Sequence, residues 1–134
     1  MSQENVETVR RLFAALNRGD LDELEAMTPS DFELDRGASK SPDSRHVYRG
    51  PEDIRRLWSN LLDAWSEFEF YEIEMIDAGH AVIRVGGIRG KGKGSGIEVA
   101  AEGATLWRFR DGRPVSAALL QSKAEALEAA GLAE

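Results

Sequence analysis

The chain has 134 residues, with 24 acidic and 17 basic side chains, a formal charge of −7 and no cysteine. That length gives one domain, residues 1–134, able to bury roughly two-thirds of its unfolded surface. The charge opposes non-specific binding to nucleic acid, and the absence of cysteine excludes disulfides, a thiolate nucleophile and cysteine-based metal sites.

Met1-Ser2-Gln3-Glu4 has neither the basic start nor the apolar stretch of a secretory leader. No apolar run nears the ~20 residues of a membrane span. A cytoplasmic location, with no membrane partner, is the expectation. From Glu4, residues Val6, Val9, Phe13 and Leu16 share one stripe with Leu12 at its edge, which predicts a helix packed on one side. Gly19 suits its left-handed stop. Asp20 caps a second, shorter helix, and Glu23 completes a capping box. Thr28-Pro29-Ser30 forces a turn into a short strand, Asp31 to Asp35, with Phe32 and Leu34 on one face.

Residues 36–45 are polar and read as a loop, and His46-Val47-Tyr48 as a short extended piece. Pro51 opens a third helix, with Glu52 and Asp53 where the helix dipole favours acids. Ile54, Leu57, Trp58, Leu61, Leu62 and Trp65 recur at helical spacing through it. Glu67 to Asp77 alternates as a strand, and a change of parity near Tyr71 predicts a bulge. A strand over His80 to Arg89 follows the Asp77-Ala78-Gly79 turn.

Gly90 to Gly96, with Lys91 and Lys93, has the look of a phosphate loop, but such loops lead into a helix and none follows. It reads instead as a hairpin tip. Ile97 to Phe109 is a long strand, Asp111-Gly112 turns, and Val115 to Gln121 pairs back. Ser122-Lys123-Ala124-Glu125 caps a short terminal helix that ends at Gly131.

Helix, helix, strand, helix and then four strands is an α+β layout. The run Phe13-Ala14-Ala15-Leu16-Asn17-Arg18-Gly19-Asp20-Leu21-Asp22, with Tyr48-Arg49-Gly50 and Trp107-Arg108-Phe109-Arg110-Asp111-Gly112, resembles the NTF2-like superfamily. Within it the chain is similar to the SnoaL-like group of small bacterial proteins, including the ketosteroid-isomerase branch. The resemblance implies a cystatin-like cone: three helices from the N-terminal half packed on a curved, mainly antiparallel sheet, with a short C-terminal helix. It also implies a ligand cavity in the wide end and a homodimer through the sheet's outer face. It is nearly silent on chemistry, because this fold hosts isomerases, hydrolases, cyclases and proteins of no known activity.

Strand parity gives an inner face of Ile97, Val99, Ala101, Gly103, Thr105, Trp107 and Phe109. A bulge at Gly112 would set Trp107 against Val115, Thr105 against Ala117 and Ala101 against Gln121, so that Val115, Ala117, Leu119 and Gln121 also face inward. The predicted wall is apolar, broken by Thr105 and Gln121, with space opposite Thr105 at Ala117. Such a hollow suits a small hydrophobic molecule; the alternative is a solid core. Phe13, Tyr48, Trp58 and Trp65 complete the candidate ligand-binding set, Trp65 at the mouth because its indole N–H needs a polar neighbour. Glu102, with Ala104 and Leu106, falls on the outer face. Arg84 also reads outward, opposite the apolar set Ala81, Ile83 and Val85, unless a bulge reverses it.

Asp35 and His46, at the two ends of the long loop, are the candidate catalytic pair. A carboxylate at an apolar rim gains basicity by desolvation, and a histidine needs little shift to act near neutral pH. The alternative reading for Asp35 is a solvated strand end or a partner for Arg36, and for His46 an exposed loop side chain. Two distant histidines do not make a metal site, and no cofactor is expected.

The isomerase branch implies a base, a helix tyrosine and a protonated strand acid, a set built on pKa tuning. The tyrosine position here is Leu12 and the acid position is Thr105. The base falls on Asp35 if a gap is placed in the strand, and on Arg36 if parity is kept. An inward Asp-Arg-Asp set for epoxide hydrolysis cannot be assembled. Three readings remain: a binding module without a complete catalytic set, a small enzyme using Asp35 and His46 on an apolar carbonyl compound, and a structural dimer with a filled interior.

Overall fold

A computed structural model describes residues 2–36 and 47–132. Its elements are α1 (Ser2–Arg18), α2 (Leu21–Ala26), β1 (Glu33–Asp35), β2 (Val47–Arg49), α3 (Gly50–Ala64), β3 (Trp65–Asp77), β4 (Ala81–Gly92), β5 (Glu98–Arg110), β6 (Arg113–Leu120) and α4 (Lys123–Ala129). The strands form one curved, unclosed sheet in the order β2-β1-β6-β5-β4-β3. Among the described strands only β1 and β6 run parallel; the other pairings are antiparallel.

Local signals set the helix ends. Gly19 has φ +68° at the end of α1, a conformation that costs glycine little. The Asp20 side chain accepts from the Glu23 N–H at 3.1 Å, and Ser122 accepts from the Glu125 N–H at 3.2 Å. Each satisfies a donor that the first helical turn leaves open. The helix of α3 stops at Ala64, and Trp65 already belongs to β3.

The β5–β6 hairpin differs from expectation. Asp111 (φ +53°) and Gly112 (φ +77°) form a two-residue turn with Arg110 opposite Arg113, as the strand twist favours. The irregularity comes later, between Arg108 and Phe109 opposite Ser116 and Pro114, so Trp107 pairs with Ala117 and Thr105 with Leu119. The register is therefore shifted by two residues from the predicted one, and Gln121 lies beyond the strand end, exposed.

Two cores flank the sheet. On the inner face Val9, Leu12, Phe13 and Leu16 of α1 pack with Leu24, Phe32, Leu34, Ile54, Val82, Trp107 and Ala117. On the outer face Ala126 and Ala130, from α4 and its C-cap, cover Ala81, Ile83, Ala104 and Leu106. Ala104 and Leu106 are thus buried beneath the chain's own terminal helix, not left as an open surface. A Lys123–Glu74 ion pair at 2.9 Å ties that helix to β3.

Candidate ligand-binding site

Between the helices and the inner face lies a hollow of about 340 Å³. Its floor comes from β4 and β5, its sides from Leu12, Phe13 and Leu16 on α1 and from Ile54, Leu57 and Trp58 on α3. Edge-to-face aromatic contacts hold the wall: Phe13–Phe70 at 5.2 Å, Trp58–Phe70 at 5.7 Å and Phe13–Trp107 at 5.9 Å between ring centroids. Such pairs fix ring orientation as well as burying area. Phe70 is held from outside the ladder: the Asn17 amide donates to its carbonyl at 3.0 Å and accepts from its N–H at 2.7 Å.

Of the residues singled out from the sequence, Phe13, Trp58, Thr105, Trp107 and Leu119 line the hollow. Tyr48, Trp65, Ala117 and Gln121 do not line it. Ala117 is buried in the core beside it. Tyr48 packs on that core, with the Arg36 guanidinium 3.5 Å from its hydroxyl. Trp65 lies against Gly90, where an added Cβ would stand 2.8 Å from its ring. Asp35 is exposed, on the opposite side of β1 from the buried Leu34, while Arg36 lines the hollow. The strand therefore keeps its hydrophobic parity, with Leu34 inward and Asp35 outward. His46 lies outside the described residues.

Arg84 overturns its expected outward placement. It is 6% exposed, it lines the hollow, and its guanidinium carbon sits 3.7 Å from the centroid of the Phe13 ring. The reason is α4. Because that helix covers Ala81 and Ile83 from outside, both faces of β4 are buried and its apolar alternation does not mark the interior. Gly86 makes room: a Cβ there would lie 2.6 Å from Arg84 Nη1. Burial pushes the Arg84 pKa down, and the charge of Glu72 acts in the opposite sense.

Thr105 is the cross-strand partner of Arg84. Its oxygen accepts from Trp107 Nε1 at 2.8 Å, so the indole need not reach solvent. Glu102, which also borders the hollow, takes a hydrogen bond from Tyr71 Oη at 3.2 Å. No group of histidine, cysteine or acidic residues able to hold a metal occurs among the described residues.

A sheet wrapped about three helices with this strand order is an NTF2-like fold. Residues 9–117 match the model of the SnoaL-like domain, and the chain belongs to that family. No curated protein matches it. Among solved structures it is similar to an NTF2-like protein of unknown function from Burkholderia pseudomallei. The TM-score is 0.77 at 22% identity, over 93% of this chain and 95% of that one. TerC co-crystallised with polyporic acid gives a TM-score of 0.77 at 15% identity, over 96% and 98% of the two chains. A protein with a ketosteroid isomerase-like fold from Catenulispora acidiphila, in complex with trimethylamine, gives 0.73 at 22% identity, over 94% and 93%. At these identities the likeness concerns the fold alone.

Proposed function

We propose that this protein binds a small, mostly hydrophobic molecule in the hollow beneath its sheet, without a complete known catalytic set. The observation that carries the reading is the roughly 340 Å³ of space walled by Phe13, Trp58, Phe70 and Trp107. That volume lies within the ordinary range of small-molecule sites, which are apolar with a few placed polar groups. Two neighbours of the same fold were crystallised with small molecules, one an acid by name and one an amine. The pair supports ligand binding for the fold and leaves the ligand to each wall. By the resemblance, the isomerase tyrosine and acid positions fall on Leu12 and Thr105 and the base position on Asp35 or Arg36, which leaves that catalytic set incomplete.

Thermal unfolding against a panel of apolar carbonyl compounds tests the proposal. A binder present at a hundred times its Kd stabilises the fold by about 2.7 kcal/mol. A panel that leaves the melting temperature unmoved, together with a failure of neutral fluorescent probes to bind, removes it. Part of the same proposal is a homodimer, which sedimentation equilibrium checks: a monomer at every concentration rejects that part.

A further inference from the structure

Arg84 is 6% exposed and lines the wall of the hollow, where it forms no ion pair among the described residues. Its guanidinium has neither hydrogen bond nor salt bridge among the described residues; its close contact is the face of Phe13. A guanidinium cannot escape the cost of burial by losing its proton, and an unpaired buried charge is expensive. The acid that acts on it electrostatically, Glu72, is already engaged. Arg10 donates to both its carboxylate oxygens, Nε to Oε1 and Nη2 to Oε2, each at 3.1 Å. That pair neutralises itself and leaves the Arg84 charge standing.

The wall as a whole carries more positive than negative charge. Arg36 is a second cation on the hollow, and among the described lining residues the only acid is Glu102, which is bonded to Tyr71. In a chain of net charge −7 the hollow is locally positive. Thr105 adds a donor. Its oxygen is occupied by the Trp107 indole, which leaves the hydroxyl proton to be given elsewhere and polarises it for that purpose. Arg84 and Thr105 face each other across β4 and β5 on the hollow's side. A guanidinium beside a hydroxyl donor, set in aromatic surroundings, is complementary to an oxyanion carried on an apolar body.

We propose that the ligand is an apolar organic monoanion, its carboxylate-like group seated against Arg84 and Thr105 and its body among Phe13, Phe70 and Trp107. This rests on the hollow being a binding site, and the test separates the two claims. Two fluorescent probes share one skeleton: anilinonaphthalene sulfonate is anionic and phenylnaphthylamine is neutral. Both are expected to bind, the anion about tenfold tighter, and Arg84→Met is expected to abolish that preference, read as the ratio of the two affinities measured in each protein. Arg84→Lys should keep part of the preference. Circular dichroism verifies folding, and Arg84→Gln replaces the Met variant if that one does not fold.

If the neutral probe binds but the anion is no tighter, or if the preference survives loss of the guanidinium, the anion assignment is wrong and the hollow stands. If neither probe binds, both claims fall.

Discussion

The side-chain amide of Asn17, near the end of α1, lies edge-on to Phe70 of β3 and pairs with its main chain through two hydrogen bonds, as a neighbouring strand would. β3 is an edge strand, and on its other side Phe70 lies opposite Ile88 of β4. Asn17 thus blunts an exposed edge and docks the first helix against the wall of the hollow. Replacing Asn17 by Ala should cost about 1 kcal/mol, since water reaches this site and partly replaces both bonds. Urea unfolding measures it. An unchanged midpoint would show that the clamp contributes nothing.

Arg84→Met, tested without ligand, should leave the melting temperature unchanged or raise it. The substitution removes a charge that has no ion pair and leaves a flexible apolar side chain of similar length against Phe13. Binding groups of this kind commonly cost stability in the empty protein. A fall of several degrees would mean that the guanidinium serves the fold, through its contact with the ring, more than it serves a ligand.

Gly86→Ala should destabilise the protein by about 1–3 kcal/mol, the usual range for overpacking. The added methyl would meet Arg84 Nη1 and the carbonyl of Tyr71. The Tyr71 carbonyl belongs to the β3 backbone and cannot swing away. Gly79→Ala is not an equivalent control, because Gly79 has φ +83°. Thermal melts of Gly86→Ala settle the prediction, and a wild-type melting temperature would contradict the close packing of Arg84 on β4.

Acid should weaken the fold through two carboxylates. Hydrogen bonding by Arg110 lowers the pKa of Asp31, and hydrogen bonding by Arg10 lowers that of Glu72. A depressed folded-state value means that the stabilisation is complete above the unfolded pKa, about 4. It is then lost as the pH falls through the folded value. Stability should therefore hold from about pH 7 to pH 5 and decline below about pH 4. Replacing Arg10 and Arg110 together by Gln should flatten that decline. An identical acid limb in the variant would assign the loss to other groups.

What the sequence made legible follows from how locally each feature is determined. The stripe Val9, Phe13 and Leu16 and the caps Asp20 and Ser122 depend on neighbours within a turn or two, and they stand as read. Trp65 continues the helical spacing of Trp58 and Leu62 but opens β3, because one residue at a boundary satisfies both patterns. The β5–β6 register rests on where one extra residue is placed. It sits near Val115, not in the turn, and this moves every pair from Arg108 inward along β5 by two. Arg84 was hidden for a tertiary reason. A charged residue between Ile83 and Val85 signals solvent only if one face of the strand is open, and α4, arriving some forty residues later, closes that face.

The central claim is that the interior is hollow and accepts an apolar guest. Equilibrium titration with phenylnaphthylamine tests it most directly, because this neutral probe brightens in apolar surroundings and carries no charge for Arg84 to select. Saturable binding of one probe per chain, with quenching or energy transfer from tryptophan, is the predicted result, since Trp58 and Trp107 both face the hollow. A linear, unsaturated response with unperturbed tryptophan emission would contradict it.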